Sequence, residues 1–125
     1  MKAIFTESAP AAIGPYSQGY AAGGFVYTSG QIPVDPVTGL VPEGIEAQAH
    51  LSCQNVGAVL RAAETSFDRV VKTTCFLADM SDFAQFNAVY ETYFVSKPAR
   101  SCVAVKALPK GVLCEIEAIA EKTPF

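Results

Sequence analysis

Apolar residues at helical spacing mark two segments of the chain. From Ile45 onward, apolar or small residues recur three and four positions apart as far as position 63, which is the pattern of a helix with one core-facing stripe. This pattern predicts a first helix over about 44–64. Aromatic residues at the same spacing predict a second helix, capped by Ser81 or Asp82. They are Phe83, Phe86, Tyr90, Tyr93 and Phe94.

Runs rich in β-branched and aromatic residues predict strands before and between these helices. The run GFVYTSGQIPVD predicts a strand over about 25–29, which Gly30 and Pro33 end. The run RVVKTTCFLADM predicts a strand over about 69–77. The segment at about 2–7 is a candidate for one more strand.

The last third of the chain has the pattern of a β-hairpin made of SCVAVKAL, a turn at PKG and VLCEIEAIAE. In the second of these strands, Glu115 and Glu117 share one face because side chains alternate. A two-residue turn at Lys110 and Gly111 would put Arg100 on the glutamate face. A three-residue loop would put it on the opposite face. The sequence leaves both registers open.

The order of elements predicts the fold class. A strand, a helix, a strand, a helix and two further strands favour an α/β sandwich of the α+β kind, in which a mixed β-sheet carries both helices on one face. The 125 residues contain no repeat or low-complexity segment, so we expect a single domain, 1–125. Only 17% of the residues are charged and 50% are hydrophobic, which indicates that the uncovered sheet face meets another subunit.

Charge and cysteine usage argue against several classes of function. A net charge of -3 with nine scattered basic residues argues against a nucleic-acid partner. No segment suits a signal peptide or a membrane span, so a cytoplasmic location is expected. The four cysteines lie far apart and only one histidine could join them. We therefore expect buried, reduced thiols and no metal site.

Arg100 and the two glutamates are the candidate chemistry. A guanidinium is permanently charged and its planar fork matches a carboxylate, so at the rim of an apolar cleft Arg100 is suited to grip a small acid. A nearby glutamate could act on a water as a general base. Because the sequence offers no Ser-His-Asp set and no phosphate loop, this is the simplest chemistry available. A structural alternative, in which Arg100 pairs with a solvated glutamate, stays open.

Six ordered blocks make the sequence similar to a known family. It resembles the RidA (YjgF) family of reactive intermediate deaminases over essentially its whole length. The blocks are APAAIGPYSQG at 9–19, TSGQIPVDPVTG at 28–39, VVKTTCFLADM at 70–80, FNAVYETYF at 86–94, PARSCVAVKALPKG at 98–111 and EIEAIA at 115–120.

The resemblance implies a chorismate-mutase-like fold assembled as a homotrimer, with the sheets facing inward and a cleft at each subunit interface. It implies hydrolysis of 2-imino acids, such as 2-iminobutanoate and 2-iminopropanoate, to 2-keto acids and ammonia, with no metal or organic cofactor. In this family the imino acids come from pyridoxal-phosphate-dependent dehydratases, so a functional link to such enzymes is also implied.

Residue by residue, the resemblance implies that Arg100 binds the substrate carboxylate and that Glu115 activates a water. Cys102 matches the cysteine whose backbone lines the pocket, and Glu117 matches no catalytic position. Further matching pocket positions are Tyr16, Ser29, Gly30 and Asn87. Of these, Tyr16 is expected to close the cleft.

The sequence departs from the family pattern at two places. The link before Pro98 is short and contains Lys97, which bears on the rim of the cleft and on substrate preference. Glu64 stands where a glycine usually follows the first helix, which weakens the expected C-cap.

Two other functions stay open. A ribonuclease or translation inhibitor would need basic groups for phosphate and an acid–base pair, whereas this chain is acidic and has only His50. A non-catalytic small-acid binder or a chaperone-like trimer is compatible with the sparse surface charge.

Overall fold

The structure is a computed structural model that describes residues 1–122. Six strands and two long helices lie within these residues. In chain order they are β1 (Lys2–Ile4), β2 (Gly19–Ala22), β3 (Phe25–Thr28), α1 (Ile45–Ala62), β4 (Val70–Leu77), α2 (Phe83–Tyr93), β5 (Ala99–Ala104) and β6 (Cys114–Glu121). Short 3₁₀ turns occupy Phe67–Arg69, Met80–Asp82 and Pro109–Gly111.

All six strands belong to one mixed sheet in the order β1-β2-β3-β6-β4-β5. β4 and β5 run parallel, and every other neighbouring pair is antiparallel. α1 packs on β6 and on α2, and Tyr90 of α2 hydrogen-bonds to Thr73 of β4. The predicted α+β arrangement, a mixed sheet with both helices on one face, is therefore confirmed.

The predicted terminal hairpin is wrong, because β4 lies between β5 and β6. β4 continues through α2 into β5, and a helical crossover is the connection that a parallel strand pair needs. The alignment of β5 relative to β6 is therefore set by β4, which pairs with both strands. Thr73 lies beside both Arg100 of β5 and Ala118 of β6, whereas Phe76 lies beside Glu115. Neither of the two hairpin registers occurs.

Strand β2 was not predicted from the sequence. Its four residues, GYAA, offer few of the branched side chains that mark a strand. It pairs with β3 across Gly23 and Gly24, whose φ angles are 60° and 83°. This left-handed backbone is what a two-residue hairpin turn needs. The feature of the sequence that indicated this hairpin was therefore the glycine pair of its turn rather than the residues of β2.

The ends of the two helices differ from expectation in detail. The side chain that caps the entry to α2 belongs to Asp79, which accepts a 2.8 Å hydrogen bond from the backbone N–H of Ser81. Asp82 precedes α2 but makes no capping hydrogen bond with its side chain, so the predicted cap at Ser81 or Asp82 is wrong. After α1, Glu64 adopts a φ of 64°, the left-handed conformation that glycine favours at this position.

Alternation along β4 and β6 gives the sheet two unlike faces. The covered face packs against α1 and α2, and its Leu77 and Ile116 are fully buried. The open face carries no helix of the described chain. It exposes Tyr20, Tyr27 and Val103 by 39%, 43% and 45%. An apolar sheet face of this kind is the bare surface that the sequence predicted.

Candidate active site

Arg100 is the second residue of β5, and its side chain lies on the covered face against α2. The guanidinium carbon is 4.8 Å from the ring centre of Tyr90 and 5.5 Å from that of Phe83, close enough for cation–π attraction. Nη1 donates a hydrogen bond of 2.7 Å to Oδ1 of Asn87. Two predicted site residues, Arg100 and Asn87, are thus in direct contact.

Arg100 has no carboxylate partner within residues 1–122. The ion pair found there joins Arg69 to Glu121 at 3.0 Å. Arg100 is partly buried, and a guanidinium in such a place is costly to leave without an anion. The structural alternative, in which it pairs with a glutamate of β6, does not occur in the described chain. Its remaining N–H donors are available to an external anion.

Cys102 lies on the same face as Arg100 and beside Cys75 of β4. Burial raises the pKa of the Cys102 thiol, and the charge of Arg100 acts in the opposite direction. A neutral thiol is a weak nucleophile, so the side chain is poorly suited to covalent catalysis. Cys53, Cys75 and Cys114 are buried free thiols, as the sequence predicted, whereas Cys102 is a free thiol that is only partly buried.

Glu115 lies on the open face of β6 and is partly buried. Burial raises the pKa of its carboxyl group, and the charge of Glu117 raises that pKa further. Gly30 packs so closely against this carboxylate that a Cβ at position 30 would overlap it. The backbone of Gln31 exchanges hydrogen bonds of 2.8 and 3.2 Å with that of Ile116, which fixes the Gly30 segment beside Glu115.

Tyr16 and Ser29 lie in segments that adjoin Gly30. The hydroxyl group of Ser29 donates to the carbonyl oxygen of Ser17, and its backbone N–H donates to that of Gln18 at 2.9 Å. Tyr16 is 55% exposed and lines the same groove as Gly30. The predicted residues that this region brings together are Tyr16, Ser29, Gly30 and Glu115.

Two buried amide side chains hold this region in shape and were missed in the sequence. Gln18 is 4% exposed and donates through Nε2 to the carbonyl oxygen of Pro10 at 2.8 Å. Asn55 of α1 is 1% exposed and donates to the carbonyl oxygens of Ile32 and Val34 at 3.0 Å each. The signal that could have found Asn55 was a polar residue within the buried stretch of α1.

The sheet divides the predicted residues into two groups. Arg100, Asn87 and Cys102 form the Arg100 half-site on the covered face. The other four residues form the Glu115 half-site at the open face. They are Tyr16, Ser29, Gly30 and Glu115. Because Arg100 aligns with the buried Thr73 while Glu115 aligns with Phe76, the backbone of the sheet lies between the guanidinium and the carboxylate. Within residues 1–122 the predicted site residues therefore form two separate groups rather than one.

The link before β5 adds a second cation beside Arg100. Lys97 is exposed, has a φ of 50°, and lines the same groove as Pro98 and Arg100. The short link noted in the sequence therefore does lie at the rim of the Arg100 half-site.

Residues 1–122 contain no group of three or more His, Cys, Asp or Glu side chains placed to hold a metal ion. Neither of the two long helices described is apolar enough over its length to cross a membrane.

The fold and the two half-sites define a small two-layer α+β protein whose edge arginine makes no ion pair with a carboxylate of the described chain. A family model described as Endoribonuclease L-PSP matches residues 6–122. The chain therefore belongs to this family, and the predicted RidA membership is confirmed.

Its similarity to individual members is high over nearly the whole length. A Salmonella typhimurium protein named 2-iminobutanoate/2-iminopropanoate deaminase is 56% identical over 123 residues, which cover 95% of this chain and 96% of the relative. A mouse protein of the same name is 51% identical, with 99% of this chain and 93% of the relative covered. The crystal structure of Escherichia coli TdcF with bound serine has a TM-score of 0.94 at 49% identity, and the match covers 98% of this chain and 100% of TdcF.

Proposed function

We propose that the protein hydrolyses small 2-imino acids, such as 2-iminobutanoate and 2-iminopropanoate, to the 2-keto acid and ammonia. The observation that carries this proposal is Arg100, a partly buried guanidinium that makes no ion pair with a carboxylate within residues 1–122. Relatives at 51% and 56% identity are named for this reaction, and a small acid is the ligand that such an arginine fits.

In the proposed mechanism, Arg100 binds the substrate carboxylate while Asn87 holds one end of the guanidinium. Backbone groups near Gly30 and Cys102 fix the imine end. Glu115 takes a proton from a water while the water oxygen bonds to C2 and the C2=N double bond becomes a single bond, and Glu115 then passes this proton to the nitrogen. The C2–N bond breaks as the hydroxyl group on C2 loses its proton to the departing nitrogen, which gives the 2-keto acid and ammonia and leaves Glu115 ionised. The raised pKa of Glu115 suits this role, because a general base works best when its pKa lies nearer the working pH. No bound group is needed in this scheme.

The proposed site is shared between two chains. Since the sheet separates the two half-sites of one chain, substrate held by Arg100 meets a Glu115 only if that residue belongs to a neighbour. In such an assembly the Arg100 edge of one chain contacts the open face of the next chain. A contact between two different surfaces is heterologous, and it closes into a ring when the rotation that relates neighbouring chains is a whole fraction of a turn. A homotrimer with the open faces inward satisfies this requirement and buries the apolar open face.

The chemistry of the substrate indicates its source. Small 2-imino acids are unstable in water, so a site for them is useful beside an enzyme that releases them. Pyridoxal-phosphate-dependent dehydratases acting on threonine or serine are the proposed suppliers, and the small imino or keto acid is the proposed partner. The serine bound in the TdcF structure is an acid of similar size.

The family description also contains the word endoribonuclease, but the described residues give little support to RNA cleavage. The histidine of the chain, His50, accepts or donates a 2.9 Å hydrogen bond with the hydroxyl group of Tyr93, away from Arg100 and Glu115. The net charge of -3 also disfavours binding to phosphate backbones.

The proposal is tested by supplying the imine to the purified protein. A threonine dehydratase generates 2-iminobutanoate, and formation of 2-oxobutanoate is followed with the wild type and with Arg100→Ala, Glu115→Ala and the exposed control Arg61→Ala. We expect the wild type and the control to accelerate hydrolysis. Arg100→Ala should fall to near the buffer rate, and Glu115→Ala should lose about 10²-fold or more, as expected for a general base.

Two other outcomes would overturn the proposal. Wild-type hydrolysis no faster than that in buffer, together with binding of 2-oxobutanoate, would indicate a non-catalytic acid binder. A ribonuclease would be favoured if an activity that cleaves a synthetic RNA copurified with the protein through every step and were lost in Arg100→Ala.

A further inference from the structure

Tyr90 has an unusual position for a buried aromatic residue. It lies in the last half of α2, is 8% exposed, and presents its ring to the Arg100 guanidinium at 4.8 Å. On another side the ring stacks on Phe94, with centres 4.4 Å apart and planes 20° apart. The ring is therefore part of the core and also the surface on which Arg100 rests.

The hydroxyl group of Tyr90 fixes the orientation of that ring. Its oxygen lies 2.7 Å from Oγ1 of Thr73, which is 1% exposed. Thr73 is also the residue of β4 that lies directly beside Arg100 in the sheet. The ring is thus held between helix and strand at the level of Arg100. Burial raises the pKa of Tyr90 to about 12, so the hydroxyl group stays protonated at ordinary pH.

An arginine that binds a substrate carboxylate benefits from being held in place beforehand. Its side chain has many rotamers, and fixing them during binding weakens affinity. Asn87 holds Nη1 of Arg100 at one end, but a single hydrogen bond leaves the plane of the guanidinium free to turn. The Tyr90 ring lies over the guanidinium at 4.8 Å, nearer than the Phe83 ring at 5.5 Å, and its cation–π attraction supplies a further restraint.

We propose that Tyr90 is a positioning residue that fixes the Arg100 guanidinium for the substrate carboxylate. This inference rests on the proposed function, since it takes Arg100 as the residue that binds the acid. The ring supplies the restraint, and the hydroxyl group secures the ring to Thr73. The residue acts through Arg100 and does not touch the reacting atoms.

The test compares loss of the ring with loss of the hydroxyl group. Tyr90→Met removes the π face, Tyr90→Phe retains it, and Tyr93→Met is the matched control, because Tyr93 is on the same helix and bonds to His50 instead. For each protein we measure the Kd for 2-oxobutanoate by calorimetry and the KM and kcat for 2-iminobutanoate hydrolysis.

We expect Tyr90→Met to raise both Kd and KM by about fivefold to thirtyfold. Its kcat should stay within about twofold of wild type, because the carboxylate is held equally in the ground and transition states. Tyr90→Phe should recover most of the binding, and Tyr93→Met should bind like the wild type. Equal Kd values for Tyr90→Met and wild type would overturn the inference, and so would a fall in kcat at unchanged KM.

A measurement on the wild type alone covers the case in which Tyr90→Met does not fold. The NMR order parameter of the Arg100 Nε–H bond, without ligand, should approach that of rigid backbone, about 0.85. The exposed Arg61 provides the comparison and should lie below about 0.6. An Arg100 as mobile as Arg61 would overturn the positioning role. Failure of the wild type to hydrolyse imine would instead overturn the proposed function, so the two failures are distinguishable.

Discussion

The two faces of the sheet are built from the same strands but are completed in different ways. On β6, Ile116 points to the covered face and is fully buried, whereas Ile119 points to the open face and is only partly buried. The helices of the chain finish the covered face. Nothing within residues 1–122 covers the open face, which leaves apolar side chains such as Tyr27 and Val103 exposed.

The same division separates the candidate chemistry. Arg100 on the covered face is held by Asn87 and the ring of Tyr90, groups from its own chain. Glu115 on the open face is held against Gly30 and lies near the like charge of Glu117. Within residues 1–122, Arg100 is thus supported by its neighbours but makes no ion pair, and Glu115 makes none either. In the proposed trimer, the Arg100 half-site of one chain meets the Glu115 half-site of a neighbouring chain.

The largest expected effect comes from placing a charge on each face in turn. Ile116→Asp puts a carboxylate in the core, at a cost comparable with the whole free energy of unfolding of a domain, about 5–15 kcal/mol. We expect no folded protein by circular dichroism. Ile119→Asp should fold but sediment as a single chain. The carboxylate stays in water in the folded monomer and would lose its hydration only in contact with a neighbouring chain. A trimer formed by Ile119→Asp would contradict the assignment of the open face as an interface.

The second prediction concerns the sharing of sites between chains. Chains carrying Arg100→Ala and chains carrying Glu115→Ala are unfolded, mixed in equal amounts and refolded together. If each site takes the two residues from different chains, about half of the sites receive an intact Arg100, and about half of those also receive an intact Glu115. About a quarter of the wild-type rate should therefore return. Each variant refolded alone should stay near the buffer rate. No recovery in the mixture would mean that both residues of a site come from one chain.

The smallest effect is a shift in pH dependence at the open face. Glu115 must be ionised to act as a base, so kcat/KM should fall as pH drops through its raised pKa. That pKa is raised first by burial and then by Glu117. Glu117→Gln removes the second cause, lowers the pKa of Glu115 and should move the acid limb of the profile to lower pH. Glu121→Gln, on the same strand, is the control and should leave the limb in place. An unmoved limb in Glu117→Gln would argue against Glu115 as the base.

Much of the local structure could be predicted because it is encoded by neighbouring residues. The apolar stripe from Ile45 predicted the first helix to within about two residues at each end, and the aromatic spacing predicted α2. The strand at 70–77 and the two-faced sheet followed from alternation and from sparse charge. Arg100 and the two glutamates were found from their chemistry, whereas the resemblance selected Glu115 and supplied the other candidate site residues. Their roles are proposals.

The failures arose where the answer depended on distant parts of the chain. Two apolar strands around PKG suggested a hairpin, but β5 pairs with β4 instead and leaves β6 on the other side of β4. Asn55 and Gln18 appeared as ordinary polar residues, since the carbonyl groups that they hold come from other segments. Tyr90 counted in the sequence only as one of the aromatic residues that predicted the second helix, and its contact with Arg100 became visible only when α2 was placed over β5.

The sequence by itself determined the helices, most of the strands, the two-layer class and the family, because periodicity and ordered motifs depend on residues close together in the chain. Only the tertiary structure decided that Arg100 and Glu115 lie on opposite faces of one sheet. That outcome follows from the parallel docking of β5 on β4 after α2, and a one-residue change in register would have reversed it. No local pattern around Arg100 carries that information, since strand partners are chosen by the packing of whole elements.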